Sequence, residues 1–325
     1  MADNTNTGNR TRSYAEIRAA RDAKQQSDPP SANGKPVRKK ESWWRSLLIA
    51  FLIAGVLRTF FIEAFRIPTG SMKNTLLVGD HLFVNKIGYF IESPKYIPFT
   101  TIEIPHVHIK TWGIHRGDVV VFEYPGDRDD VVPREKDVKY IKRCIGEPGD
   151  VIQIVNKQVY VNGRIFPNPK ESILEPDTQK VGFVEANIFP KGAQWNRDNF
   201  GPLRVPKAGD TIMLTKESLD RWQVFIEREG HKVELASNDQ VLVDGKPTLE
   251  YRVQRDYLWM MGDNRDDSED SRFWGFAPVD NVVGSGLIIY WSWYNPPSSG
   301  NGDGYDPDEV QNTHVRWGRM GRIIH

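Results

Sequence analysis

Ser71 is the first residue in this chain whose type and setting suggest chemistry. Residues 66–80 read RIPTGSMKNTLLVGD, which places Ser71 in a Pro-Thr-Gly-Ser-Met turn directly after an apolar segment. A serine hydroxyl is a weak nucleophile until a base takes its proton. No His-Asp pair suited to that task is evident. Lys142 offers an alternative, because it lies in DVKYIKRCIG among Tyr140, Ile141, Cys144 and Ile145. Burial among those neighbours would strip the ammonium of hydration and drop its pKa well below the free value of about 10.4. A neutral amine can accept a hydroxyl proton, so a Ser-Lys pair can stand in for Ser-His. A third segment, Gly262-Asp263-Asn264-Arg265, leads to Ser268, Asp270, Ser271 and Arg272. Each piece has an ordinary reading as well. A serine after glycine usually only turns the chain, and a strand lysine is usually solvated. The acidic run 263–270 could hold Ca²⁺, but it lacks the Gly at position six and the Glu at twelve of an EF-hand loop.

The elements that must carry these residues follow from patterning. The chain has 325 residues, with 43 basic and 43 acidic side chains, so its charge balance asks for no nucleic acid. The single cysteine, Cys144, excludes an intramolecular disulfide. Residues 1–45 carry ten Lys/Arg against five Asp/Glu, a local net charge of +5. Residues 1–42 are expected to form a basic disordered tail, with QQSDPPSANGKP at 25–36 as linker.

The stretch 43–65, WWRSLLIAFLIAGVLRTFFIEAF, is expected to be a transmembrane signal anchor. A spanning helix needs about 20 residues. Trp43–Ile62 meets that length if Arg58 snorkels to the headgroups, and Trp43 and Trp44 suit an interface. A buried helix of a soluble domain and a cleaved signal peptide are the alternatives. The all-round apolarity of 47–57 and the absence of a small-x-small site argue against them. The excess of positive charge before the anchor then leaves the N-terminus in the cytoplasm and 66–325 outside it.

Beyond the anchor the chain is expected to be mainly β. Runs rich in β-branched residues recur at 82–84, 119–122, 151–155, 241–243 and 282–289, separated by Gly, Pro and Asp turns. Asn162-Gly163 and Asp244-Gly245 are two-residue hairpin signals. One helix is expected over 216–229, capped by Thr215, striped by Leu219, Trp222 and Ile226, and stopped by Gly230. Residues 296–312 read as a loose loop.

Taken together these boxes resemble the bacterial type I signal peptidases, or leader peptidases. The likeness rests on Phe65 and IPTGSM…TLLVGD at 67–80, RGDVVVFEYP at 116–125, YIKRCIGEPGD at 140–150, MMGDNRDDSEDSRFWGFAP at 260–278 and the closing Ile324-His325. It is weak over 91–115 and most of 156–250. The resemblance implies a β-rich catalytic core, 66–155 with 251–295, and an inserted second β-rich domain, 156–250, that contains the helix. A C-terminal loop and tail, 296–325, would complete the chain.

The resemblance also implies roles. Ser71 would be the nucleophile and Lys142 the general base. Thr69 would help the Ser71 backbone N–H bind the oxyanion, and Ser268 would orient the lysine. Arg143, Asp263, Asp270 and Arg272 would be structural ion-pair residues. Phe65, Ile67, Met72, Leu76, Val121, Tyr140 and Ile141 would wall two shallow pockets for small residues, one and three positions before the cut. No cofactor or metal is implied. The partners would be signal-peptide-bearing preproteins, membrane lipid and the export machinery, and the location a bacterial inner membrane, spanned once.

The family often has Pro two residues after the Met, where this chain has Asn74. A local backbone effect with retained activity is expected there, because Asn tolerates unusual turn angles. A self-cleaving regulator related to SOS repressors would use the same dyad but needs a DNA-binding domain, which the basic tail does not suggest. A membrane-anchored β-domain that only binds exported chains would leave Lys142 exposed or far from Ser71. His106 and His108 lie on one face of an extended segment without an apparent third metal ligand. Trp291 and Trp293 suit either bilayer contact or ordinary packing of a strand end.

Overall fold

The computed structural model describes residues 15, 18, 19, 43–87, 90–92, 103, 108–110, 113–134, 137–294 and 313–325. Most of the tail 1–42, the loop 296–312 and His106 lie outside these residues, as does the side chain of His108. The expectations of a disordered tail, a loose loop and a histidine pair therefore fall outside the description too.

The chain divides into two units, one up to Leu52 and one from Ile53 onward. The helix Trp43–Val56 has 14 residues, none of them buried, and Trp43 stacks on Trp44. At 1.5 Å per residue it spans about 21 Å, against about 30 Å for a hydrocarbon core. A π-helical turn, Leu57–Phe61, follows it. No helix among the described residues is long and apolar enough to cross a membrane. The expected helix over 43–65 is corrected at its far end, where Ile62–Arg66 is a strand paired antiparallel with Asp80–Asn85. Side-chain partners favour the strand. Glu63 meets Lys139 at 3.1 Å and Lys86 at 3.5 Å, and Phe65 packs on the core.

The expectation of a mainly β protein holds. Strands Ile62–Arg66, Asp80–Asn85, Val282–Tyr294, Val119–Glu123, Lys139–Gly146, Tyr257–Met261 and Ala277–Pro278 pair in that order, with His314–Val315 beside the end of Val282–Tyr294. Every pairing is antiparallel. Asp80–Asn85 alternates buried and half-buried residues, whereas Tyr257–Met261 is buried throughout. Strict alternation marks a sheet face that is only half covered, and a continuous apolar strand marks cover on both faces.

The segment between these sheet strands begins with a second antiparallel sheet, ordered Phe200–Arg204, Val151–Val155, Gln158–Val161, Arg164–Ile165. Both predicted hairpins form, with φ of 53° and 75° at Asn162-Gly163 and 51° and 74° at Asp244-Gly245. Those left-handed angles are why Asn-Gly and Asp-Gly occupy such turns. The predicted helix runs over Lys216–Arg228, with Thr215 and Ser218 forming a reciprocal cap. It buries Phe225 and Ile226 most deeply, and Leu219 and Trp222 pack at the edge of the same core. That core joins Ile152, Phe200, Ile226 and Tyr251 to the sheet residues Trp259 and Met261 and to Phe276 beside them. One hydrophobic cluster thus crosses the expected limits of the insertion, and the limit at 250/251 falls inside strand Glu250–Arg252.

Residues 313–325 return to the main sheet. Ile324 enters the cluster of Ile67, Met72, Leu76 and Val121. Trp291 packs against Trp317 and Trp293, with ring centroids 6.1 and 6.5 Å apart. Arg319 clamps the fully buried Asp80 with contacts of 2.5 to 3.1 Å, and Asp80 also accepts from Ser292 Oγ at 2.6 Å and from the Leu77 N–H at 2.8 Å. Removing one partner of a buried ion pair strands the other charge at a cost of about 3–5 kcal/mol. Arg319→Ala is therefore expected to lower stability by about 3 kcal/mol, read from the urea midpoint; a loss under about 0.5 kcal/mol would show that this clamp is not structural.

Candidate functional site

Three segments converge at the serine turn. The first is the turn itself, where the Lys73 N–H bonds to the Gly70 carbonyl at 2.9 Å and Leu76 to Met72 at 2.7 Å. Asn74 has φ of +74°, a left-handed angle closed to proline, whose ring holds φ near −65°. The backbone effect expected at this departure from the family pattern is thus present. Met72 and Leu76 point into the core and are fully buried, which pins the turn from beneath.

The second segment is strand Lys139–Gly146, held between Val119–Glu123 and Tyr257–Met261. Alternation puts Tyr140, Lys142 and Cys144 on one face and Ile141 and Arg143 on the other. Lys142 is 4% exposed, and its Nζ lies 2.6 Å from Ser71 Oγ. Ser71 is its one hydrogen-bond partner among the described residues. Burial is the main cause that lowers the lysine pKa to about 8; the carboxylates of Asp270 and Glu269 pull it partly back up. The Lys142 ammonium also sits 5.2 Å over the Tyr140 ring.

The third segment is 262–272. The Asn264 N–H donates to the Ser71 carbonyl at 3.1 Å, and its side-chain amide donates to the Gly70 carbonyl at 3.1 Å. Asp263 accepts from Thr75 Oγ1 at 2.6 Å and forms a two-pronged pair with Arg143 at 2.9 and 2.7 Å. Arg143 also donates to the Gly117 and His325 backbone oxygens, tying in the C-terminal segment. Asp270 is fully buried. Burial alone would raise its pKa, but Arg272, at 2.8 Å from each carboxylate oxygen, holds it below the usual range. It further accepts from the Gly262 N–H at 3.1 Å and caps the short helix Ser271–Trp274. Burial lowers the pKa of Arg265 to about 10, and this side chain bonds the Gly262 carbonyl and Asn168.

The remaining sequence-derived residues fall into two groups. Thr69 is exposed and lines a cleft of about 520 Å³ together with Ser71, Tyr140, Ile141, Lys142 and Ser268. Ser268 is buried, and its Oγ has no hydrogen-bond partner among the described residues, Lys142 included. Phe65, Ile67, Met72, Leu76 and Val121 belong with Ile141 to a single apolar cluster beside the turn. The Ser71 backbone N–H has no acceptor among the described residues. Sequence reasoning missed Asn187, Arg197 and Glu269, which also line the cleft. The first two come from the middle of the chain, where no local pattern marks them. Asn264 sits inside a segment the sequence singles out, yet nothing local says that its amide holds the serine turn.

This arrangement can support acyl transfer by a serine and a neutral amine. Residues 40–291 match the family described as "Signal peptidase, peptidase S26". The chain belongs to that family. It is a peptidase, a hydrolase of the serine class. It is 30% identical over 270 residues to signal peptidase I of Pseudomonas aeruginosa, covering 78% of this chain and 74% of that one. It is 32% identical over 266 residues to signal peptidase I of Pseudomonas fluorescens, with the same two coverages. Signal peptidase I of Buchnera aphidicola subsp. Schizaphis graminum is 32% identical over 260 residues. The crystal structure of a signal peptidase I from Enterococcus faecalis covers 54% of this chain and 97% of its own, at 18% identity and a TM-score of 0.22, which carries no argument about fold.

Gly262 tests how closely the turn is held. A Cβ at this position would fall 2.1 Å from Ser268 Oγ and 2.5 Å from the Ser71 carbonyl oxygen, so the serine backbone must move. A misplacement of about 1 Å at a reacting group can cost about 10²-fold in rate. Gly262→Ala is expected to lower kcat by about that factor while far-UV circular dichroism stays that of the parent. A kcat within about threefold of the parent would show that the contact does not position Ser71.

Proposed function

We propose that this signal peptidase family member is a membrane-anchored Ser-Lys endopeptidase that removes N-terminal signal peptides from exported precursors. Ser71 is the nucleophile and Lys142 the general base. The observation that carries the reading is the 2.6 Å separation of Ser71 Oγ from a lysine amine that is 4% exposed. A β-domain that only binds exported chains has no need of that contact.

The steps follow from the geometry. Neutral Lys142 takes the Ser71 proton as Oγ attacks the scissile carbonyl. The oxyanion is met by the Ser71 N–H, which has no acceptor among the described residues, and by the Thr69 hydroxyl at the cleft rim. The lysine ammonium then gives its proton to the departing amine, and water releases the acyl-enzyme by the same route in reverse. Ser268, whose buried hydroxyl has no partner among the described residues, steadies the lysine during the reaction. Arg143–Asp263 and Arg272–Asp270 brace the two backbones that carry the dyad. Tyr140 and Ile141 line the cleft directly, while Phe65, Ile67, Met72, Leu76 and Val121 back it as the walls of two shallow pockets. Such pockets suit cleavage after Ala-x-Ala-type sites.

The anchoring half of the reading is supported by the helix Trp43–Val56, whose apolar side chains are exposed on all sides. Lipid would cover them, with the basic tail on the cytoplasmic side and the peptidase outside. Tethering the site to the bilayer that holds the precursor raises effective concentration without new contacts.

Two sets of measurements test these points. Ser71→Ala and Lys142→Ala are each expected to abolish cleavage of a precursor, and Lys142→Arg also, because a guanidinium stays protonated. The double variant loses little beyond either single one. Because the base must be neutral, kcat/KM rises with pH through the lysine pKa of about 8 and levels above it. Substantial turnover by Lys142→Arg, or a profile flat from pH 6 to 9, would overturn the dyad. On the specificity side, Phe in place of Ala immediately before the cut is expected to block reaction, and Ile141→Ala to widen the accepted set. Protein lacking residues 1–61 is expected to cut membrane-bound precursor more slowly than the full chain; equal rates would remove the tethering argument.

A further inference from the structure

The charges lining the Ser71–Lys142 cleft do not cancel locally. Lys139 is paired with Glu63 at 3.1 Å, and Arg197 is paired with Glu185. On the acidic side, Asp266 is held by Lys157 at 2.6 Å, and Lys157 is itself nine-tenths buried. Asp267 and Glu269 are different. Both are exposed, both line the cleft, and neither makes an ion pair among the described residues. Among the described residues the Asp267 carboxylate accepts one long bond, from the Asn264 amide at 3.4 Å, and the one hydrogen bond of Glu269 is accepted by its backbone carbonyl, from Trp274 Nε1 at 3.3 Å. Between them Ser268 lines the same cleft with its buried hydroxyl unsatisfied. The wall thus presents, beside the dyad, two carboxylates that make no ion pair among the described residues, Glu269 feeling Lys142 only through space, and a hydroxyl with no partner among those residues. Lys142 is the cation that acts on Glu269, so once it is neutral and able to serve as base, the other cations lining the cleft, Lys139 and Arg197, are already paired.

Exposed carboxylates normally keep water as their partner, and substrate entry removes that water. An extended peptide crossing the cleft then either supplies a cation or leaves the carboxylates poorly solvated. We propose that Asp267 and Glu269 are specificity-determining residues that favour a basic side chain, and reject an acidic one, near the scissile bond of the substrate. This rests on the Ser71–Lys142 reading of the cleft. It adds a charge rule to the size rule for the residues one and three before the cut, and it acts through the other flanking residues.

The test uses the full chain and precursors with Lys, Gln or Glu placed singly at the second position before the cut and at the first two positions after it. The readout is the ratio of kcat/KM for the Lys and Glu versions, so any uniform change in rate cancels. At one or more positions the ratio is expected to reach roughly tenfold at low ionic strength, the scale of one charge pair about 6 Å apart in partly screened surroundings. It falls towards one near 1 M salt, where the Debye length is about 3 Å. It also falls towards one when Asp267→Asn and Glu269→Gln are combined, and inverts in Glu269→Lys. A ratio of one at all three positions, or a ratio unmoved by the combined variant, overturns the proposal. Ser71→Ala is the blank: cleavage that survives it refutes the dyad, whereas a parent that cuts the Gln precursors by way of Ser71 without charge preference refutes only the selectivity.

Discussion

The burial of one lysine amine organises this molecule. An ammonium on the surface holds its proton to about pH 10.4 and is no base at neutral pH. At Lys142 the loss of water brings the pKa to about 8, which leaves roughly a tenth of the amine neutral at pH 7. That state is costly to create, because the charged form is desolvated and its one hydrogen-bond partner among the described residues is a hydroxyl. The rest of the sheet works to make the burial possible. Lys142 sits in an interior strand with neighbours on both edges and the aromatic face of Tyr140 beside it.

Burying an amine is not enough unless the serine is brought to it, and this is where the ion pairs act. Arg143 follows Lys142 in the same strand, and its pair with Asp263 ties that strand to the loop whose next residue, Asn264, bonds the carbonyls of Gly70 and Ser71. Asp270 and Arg272 hold the other end of that loop through the Gly262 N–H. Such buried pairs contribute little net stability compared with apolar packing, since desolvation consumes most of the Coulomb attraction. Their value here is geometric, because each fixes a backbone that carries a reacting group. The absence of Cβ at Gly262 lets the loop touch the serine carbonyl, and any other residue would push the two apart.

The segment 156–250, where the family boxes are weak, contributes to the same site. Arg197 and Asn187 line the cleft, and Lys157 reaches Asp266 from a turn where its own φ is +68°. The hydrophobic core is continuous from Ile152 and Phe200 to Trp259 and Phe276, so this segment is packed as a wall of the cleft and shares the sheet's interior.

Local chemistry determined much of this protein from sequence alone. The turn types at Asn162-Gly163 and Asp244-Gly245, the cap at Thr215, the mainly β character and the pairing of a serine with a lysine needed only near neighbours and the recurrence of family boxes. Phe225 was less legible, because helical period alone does not say which side of an apolar stripe faces the core. The end of the apolar segment was misjudged: 62–65 carries a single charge, Glu63, in an otherwise apolar run, and only Lys139, 76 residues from Glu63, together with the strand Asp80–Asn85 makes it a strand. Tertiary structure alone decided the separation of Ser71 and Lys142, the lack of a partner for the Ser268 hydroxyl among the described residues, and the exposure of Asp267 and Glu269 in the cleft. These depend on which groups meet across gaps of tens to hundreds of residues and on how much water is shut out. Burial and distance are properties of the folded chain, and no local pattern encodes them.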